Sequence, residues 1–354
     1  MHETFRLQAE VSEISKGGNL ATIKDVARHA GVAISTASAA INRSAPVSKD
    51  VLSAVAAAIR AVGYVPHAGA RSLRSGRSNL IGLVVPNIAN PWCGAVAREV
   101  ENVCLAAGYT TVVYSTGQDA GRESQVLEML RLQRVAGLLV IPTRSDAEHG
   151  AALRDQIHVP TVLLDMQVEG LPFDVVKADN VEAGRLGTAH LLGLGHRRIG
   201  IVVGIPGLAT SDDRLLGYRE AHAAAGVTVD ERLIAVGNFD QSIAHDAVLG
   251  MLKRKDRPTA VMTCSNMMTM GLLFAIRELK LAVPKQLSFV GIDDLEFSLI
   301  LDPQPTTVAT AILPMARQAI KKLITQVFDQ KPATGATDVY PPELIVRTST
   351  AALG

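Results

Sequence analysis

Short apolar runs separated by amphipathic stretches, repeated in two groups, constrain this chain more than any other feature. LIGLVVPNI (80–88), TTVVYST (110–116), VAGLLVIP (135–142) and VPTVLLDM (159–166) form the first group. RRIGIVVG (197–204), RLIAVG (232–237), TAVMTCS (259–265) and LSFVGID (287–293) form the second. A short run that stays apolar without alternating suits a strand covered on both faces, as in a parallel sheet. Helices are expected between the runs, for example over 95–107 and 122–133. Two such series imply two doubly wound α/β lobes. Ligands of these sheets bind beyond the carboxyl ends of the strands, so the expected site is the cleft where the lobes face each other.

Ahead of the lobes, residues 21–78 differ in both pattern and charge. Lys24, Arg28, Arg43, Lys49, Arg60, Arg71, Arg74 and Arg77 oppose only Asp25 and Asp50, giving the segment +6 in a chain whose net charge is +1. The body that follows carries −4. Thr22 can cap a first helix, with Asp25 in its opening turn and Ile23, Val26, Ala27 and Ala30 at helical spacing. Gly31 permits a sharp turn. A second helix over 34–41 can pack back through Thr36, Ala37, Ala40 and Ile41. Ser48 can cap a third, with a core face of Val51, Leu52, Val55, Ile59 and Val62, ended by Gly63. This is the pattern of a helix-turn-helix unit. Periodicity alone fits three short helices of any α domain equally well. The concentrated positive charge favours a duplex DNA partner.

IKDVARHAGV, STAS, VLSAVAAAIRAVGYVPH and ARSLRSGRS resemble the start of the lactose-repressor (LacI/GalR) family of bacterial transcription regulators. The resemblance continues through IGLVVPNIANPW, GLLVIP, ADNVEAGRLGTAHLLGLGHRRIG, DDRLLGY, CSNMMTMG, VPKQLSFVGIDD and ELIVRTST, covering nearly all of the chain from about residue 21. It implies an all-α helix-turn-helix head and an α/β body, like that of periplasmic binding proteins, made of two doubly wound parallel-sheet lobes. The expected domains are a disordered extension (1–20), the head (21–63), a hinge helix and linker (64–78), a first lobe (79–178 plus 308–337) and a second lobe (179–307 plus 338–354).

The resemblance places the second helix of the head in the major groove, where Ile34 and Ser35 would meet base edges, Ile34 by apolar contact only. Thr36, Ser38 and Asn42 match positions that donate to phosphates, and Thr22 belongs to the same DNA-facing set. Two departures obscure the operator sequence. Ala33 stands where the family usually has a capping serine, and Ala39 where it usually has an arginine. Residues 67–75 resemble the family's hinge helix, in which Ala70 and Leu73 would lie in the minor groove. Leu73 matches the wedge that opens a base step and kinks the duplex. A buried leucine in a linker helix is the alternative, but Arg71, Arg74 and Arg77 leave Leu73 little apolar company.

For the cleft, Arg214 in DDRLLGY matches the arginine that reaches the effector, where its fork suits vicinal hydroxyls or a carboxylate. Asn266 stands where an aspartate is usual; it also begins a helix and could cap it. Phe239 matches a stacking aromatic, with a core role as the alternative. Trp92 and Cys93 follow the first strand, Cys93 replacing a second aromatic. Asp165 ends the fourth strand, as a ligand contact or a structural carboxylate. Asp293 reads as partly structural. The lost charge at Asn266, with Met267 and Met268 alongside, weighs against a standard neutral hexose. A sugar, sugar acid or polyol is the first expectation and a nucleobase or nucleoside the second.

Other classes fit less well. The glycines at 200, 204 and 207 miss the dinucleotide-binding spacing, and no phosphate-loop, zinc-protease or nucleophile-elbow motif occurs, so neither an enzyme, a cofactor nor a metal is expected. A sensor acting through protein partners conflicts with the basic head. Cys93, Cys104 and Cys264 are odd in number and read as free thiols of a reducing cytoplasm, which also argues against a secreted binding protein. No membrane span or signal peptide is evident, and without trailing leucine heptads a homodimer on a pseudo-palindromic operator is the default. Leu73→Ala is expected to keep the dimer but lose specific operator affinity. Unchanged affinity in a gel-shift titration would refute the wedge.

Overall fold

The computed structural model describes residues 21–42, 45–64, 78–294, 296–330 and 333–353. The extension, most of the linker, Ala70 and Leu73 lie outside these, as does the side chain of Asn42. The chain divides into two compact units, Met1–Gly76 and Arg77–Gly354.

In the first unit, α1 (Ile23–Ala30), α2 (Ile34–Asn42) and α3 (Lys49–Val62) enclose a small core of Val26, Ala27, Ala37, Ala40, Val55 and Ala58. Its alanines let the helices approach closely. Thr22 starts α1 with its N–H and hydroxyl both donating to Asp25, at 2.9 and 2.7 Å. Those bonds hold the Asp25 carboxyl below its ordinary value. Gly31 (φ 67°) and Gly63 (φ 64°) end α1 and α3 in the left-handed region that glycine adopts without strain. Two expectations are corrected. Leu52 is 40% exposed, and Ala58 takes the core position instead. Ser38 is only 6% exposed, so its helix face turns it inward with Ala37 rather than toward phosphates.

The second unit holds two six-stranded sheets. β1 (Leu80–Val85), β2 (Thr110–Ser115), β3 (Gly137–Val140), β4 (Thr161–Leu164) and β5 (Asp174–Ala178) belong to the first. Helices α4 (Pro91–Ala106), α5 (Ala120–Leu132) and α6 (Ala147–Gln156) alternate with them. After α7 (Asn180–Gly193), the second sheet takes β6 (Ile199–Val203), β7 (Ile234–Val236), β8 (Ala260–Thr263), β9 (Ser288–Ile292) and β10 (Thr306–Ala309). Its connecting helices are α8 (Ala209–Ala224), α9 (Gln241–Leu252) and α10 (Asn266–Glu278). Helix α11 (Ile312–Asp329) returns to the first lobe, followed by β11 (Thr337–Tyr340) and then β12 (Glu343–Ile345).

The strand orders are β11-β5-β4-β3-β1-β2 and β12-β10-β9-β8-β6-β7. Within each, the first five strands follow one doubly wound order. All pairings are parallel except β10 with β12. β1 shows why its residues read as one unbroken apolar run: Ile81, Leu83 and Val85 pack on the α4/α11 side while Val84 packs on the other. The chain therefore crosses between lobes after 178, after 309 and after 340, because β10 pairs with β9 and β11 pairs with β5. The last two crossings fall slightly later than the expected 308 and 338.

Glycines set the closest helix contact of the second lobe. A Cβ on Gly184 of α7 would overlap the Arg214 carbonyl of α8, and one on Gly217 of α8 would overlap the Val181 carbonyl of α7. The two backbones therefore touch directly. Gly217→Ala should cost about 1–3 kcal/mol of stability in urea unfolding, because rigid backbone has to move aside. Gly193→Ala, whose Cβ meets nothing within 4 Å, should leave stability unchanged or slightly raised.

Candidate functional site

In the head, α2 presents its first turn outward. Ile34 is 48% exposed and Ser35 is exposed, while Ala37 and Ala40 anchor the opposite face. Thr36 is half-buried. With Ala33 ahead of α2, the helix has no side-chain oxygen at its N-cap position, so N–H groups of its first turn remain available to an acceptor. Thr22, by contrast, spends its hydroxyl on Asp25.

In the body, segments following the carboxyl ends of strands from both lobes meet in one cleft with a cavity of about 70 Å³. Trp92 and Cys93 come from the start of α4, and Asp165 directly follows β4. Arg214, Phe239 and Asp293 come from the second lobe. Six of the seven residues expected here thus meet at one place.

Asp165 and Asp293 occupy matching positions. Each follows the fourth strand of its lobe with positive φ, 79° and 73°. Each donates its backbone N–H to the next strand, to the Val176 carbonyl at 2.8 Å and the Val308 carbonyl at 3.0 Å. Thr210 Oγ1 donates to Asp165 Oδ2 from across the cleft at 3.3 Å, and Thr310 Oγ1 donates to Asp293 Oδ1 at 2.8 Å. Burial pushes both carboxyl groups above their ordinary value, although the nearby Arg214 guanidinium opposes the shift.

Arg214 is 4% exposed and held by its own lobe. Its Nε donates to Asn180 Oδ1 at 2.9 Å, and its Nη1 donates to the Cys264 carbonyl. The glycine contacts between α7 and α8 bring Arg214 close enough to Asn180 for this bond. Phe239, with φ 55°, lays its ring over Gly204 at the end of β6, where a Cβ would overlap it. Gly204 therefore serves as a bare platform for an aromatic ring. The Cys93 thiol is pushed up to about 12, chiefly by burial, and so stays neutral.

Asn266 is corrected. Ser265 caps α10, accepting from the Met268 N–H at 3.3 Å, and Asn266 does not border the cavity. Its Nδ2 instead donates across the lobes to Asn90 Oδ1 at 2.9 Å. A further interlobe contact runs through Ser145, whose Oγ accepts from the Ala209 N–H at 3.0 Å. Met268 is also reassigned. It is buried in the core, with its sulfur beside Gly237. Residues not anticipated in the cleft wall include Asn87, Gln118, Thr143 and Thr210. Thr143 donates to the fully buried Glu123 at 2.6 Å, and Glu123 lies 2.9 Å from His149 Nε2. Only their position after strand ends could have pointed to them.

Comparison with known proteins agrees with both halves. Residues 22–67 match the family of bacterial regulatory proteins of the lacI type, and residues 188–350 match a periplasmic binding protein-like domain. The HTH-type transcriptional repressor PurR of Pectobacterium carotovorum subsp. carotovorum (strain PC1) is 34% identical over 94% of this chain and 97% of its own. PurR of Haemophilus influenzae (strain PittEE) is 32% identical over 93% and 98%. The structure of the lac repressor dimer bound to operator and the anti-inducer ONPF superposes with a TM-score of 0.83 at 25% identity, covering 94% of this chain and all of the other. A complex of the transcriptional regulator CelR with cellobiose gives 0.70 at 28%, covering 93% and 99%.

The fold is thus that of a DNA-binding transcription regulator with a helix-turn-helix head and a two-lobed body. The chain belongs to the LacI family of transcriptional repressors.

The raised carboxyl groups make a pH prediction. Between their ordinary value of 3.8 and the raised value, the folded chain holds protons that the unfolded chain has released, so folding weakens as pH rises through that window. Asp165→Asn keeps an acceptor for Thr210 and tolerates positive φ. It should raise the melting temperature at neutral pH, with the gain vanishing below the ordinary carboxylate range. An equal gain at both ends of the pH series would refute the electrostatic cause.

Proposed function

We propose that this chain is a cytoplasmic, homodimeric repressor whose operator affinity is set by a small molecule held between the two lobes of its body. The observation that carries this reading is the cleft itself. It takes one strand-end carboxylate from each lobe and one guanidinium, with an aromatic ring at its edge. A ligand contacting both lobes changes the balance between open and closed forms only through its differential affinity for them. Ile34 and Ser35, exposed at the start of α2, are the base-contacting residues of this proposal, and phosphate contacts are assigned to Thr36 and, from the family resemblance alone, to Asn42. Exposed apolar side chains such as Leu105 and Phe274 supply surface for pairing of two copies.

Two buried carboxylates against one already engaged guanidinium disfavour an acidic ligand. A neutral molecule rich in O–H or N–H donors fits, and a sugar or polyol is the first choice. A nucleobase is the second reading, favoured by the Trp92 and Phe239 rings for stacking and by the PurR relatives. Among the described residues no helix is long and apolar enough to cross a membrane.

A thermal-shift series with D-ribose, cellobiose, gluconate, adenine and guanine separates these classes. One neutral probe should raise the melting temperature, gluconate should not, and Arg214→Ala should abolish the shift. A shift with gluconate alone would overturn the charge argument. Selection from random duplexes should enrich a pseudo-palindrome whose binding falls steeply with salt. Failure to enrich any sequence would overturn the repressor reading.

A further inference from the structure

Two residues outside the cleft hold its charged groups in place. Neither Asn180 nor Thr310 borders the cavity, and both are buried. Asn180 begins α7, two residues beyond the end of β5, where the chain first leaves the first lobe. Thr310 directly follows β10, where the chain returns. Asn180 Oδ1 accepts from Arg214 Nε at 2.9 Å, and Thr310 Oγ1 donates to Asp293 Oδ1 at 2.8 Å. The Asp179 N–H, one residue before Asn180, donates to the Tyr340 carbonyl at 2.9 Å, which ties the first crossing to the third.

We infer that Asn180 and Thr310 are positioning residues that transmit occupancy of the cleft to the crossings between the lobes. The inference rests on the effector role proposed for that cleft. Closure of two lobes is absorbed by a few residues at element ends, and these are the residues at the ends of β5 and β10. Arg214 has Nε and Nη1 engaged, which leaves Nη2 for a ligand. Asp293 accepts from Thr310 through Oδ1 and also from the Asn266 backbone N–H. A ligand drawing on either group therefore pulls, through one hydrogen bond, on a crossing segment. Neither residue needs to touch the ligand to set how the lobes respond to it.

The test has one arm that needs no ligand. In full-length protein with 15N-arginine, the Arg214 Nε resonance is assigned by its loss in Arg214→Lys. Asn180→Ala should speed its exchange with solvent by about tenfold, since a charge-assisted bond is lost. Asn180→Asp, which keeps an acceptor, should restore slow exchange. Unchanged exchange in Asn180→Ala overturns the inference.

The second arm reads lobe closure as the distance between dyes on Gln133→Cys and Lys255→Cys, with labelled chains diluted into unlabelled protein. These exposed positions lie in different lobes, and the three native cysteines are buried. D-ribose, cellobiose, adenine and guanine are the probes. A probe that shortens the distance in the parent should still bind Asn180→Ala and Thr310→Val, weakened by no more than about tenfold. It should no longer shorten the distance in either, while Thr310→Ser closes normally. Closure in both deletion variants equal to the parent's overturns the inference. If no probe binds the parent, the effector reading fails and the exchange arm alone decides the role of Asn180.

Discussion

A buried guanidinium has to be satisfied by hydrogen bonds, and the placement of Arg214 answers that demand. Asn180 and the Cys264 carbonyl supply the partners. They can do so because α7 and α8 touch backbone to backbone at Gly184 and Gly217. A larger residue at either glycine would push α8 away from α7, and Arg214 with it. Helix packing, the charge in the cleft and the first crossing between the lobes are therefore one mechanical unit. The crossings are also the places where motion of one lobe against the other has to be absorbed.

The electrostatics of the cleft run against its own stability. Asp165 and Asp293 face one cavity from opposite lobes and are both pushed toward the protonated form, each also sensing the Arg214 charge. An arrangement that costs folding energy at neutral pH suits a site where a bound molecule relieves the cost. Polar contacts between the lobes, Asn90 with Asn266 and Ser145 with the start of α8, hold them together around the cavity. Their strength helps set how readily the lobes part.

Much of the fold was legible in the chain because its signals are local. The eight apolar runs became eight strands, and the glycine-punctuated basic segment became three helices. The four remaining strands, β5, β10, β11 and β12, were not read as strands. They are short and partly polar, and they gain their identity from a neighbouring strand. Ser38 and Leu52 were misassigned for a related reason. On short helices a small change in orientation decides which side of the apolar stripe turns inward, and periodicity does not fix that orientation. Asn266 was read from its place in a motif, but its amide reaches to Asn90, which is 176 residues away in sequence.

What the sequence alone determined was element type, the two-lobed series, the basic head and most residues of the cleft. Composition, spacing and turn chemistry act over a few residues and are carried by the chain wherever it goes. Which hydroxyl holds which carboxylate, which amide bridges the lobes and which glycine admits a neighbouring backbone were decided only by the tertiary structure. Those outcomes depend on groups far apart in sequence coming within hydrogen-bond or van der Waals distance, and no local pattern encodes that distance.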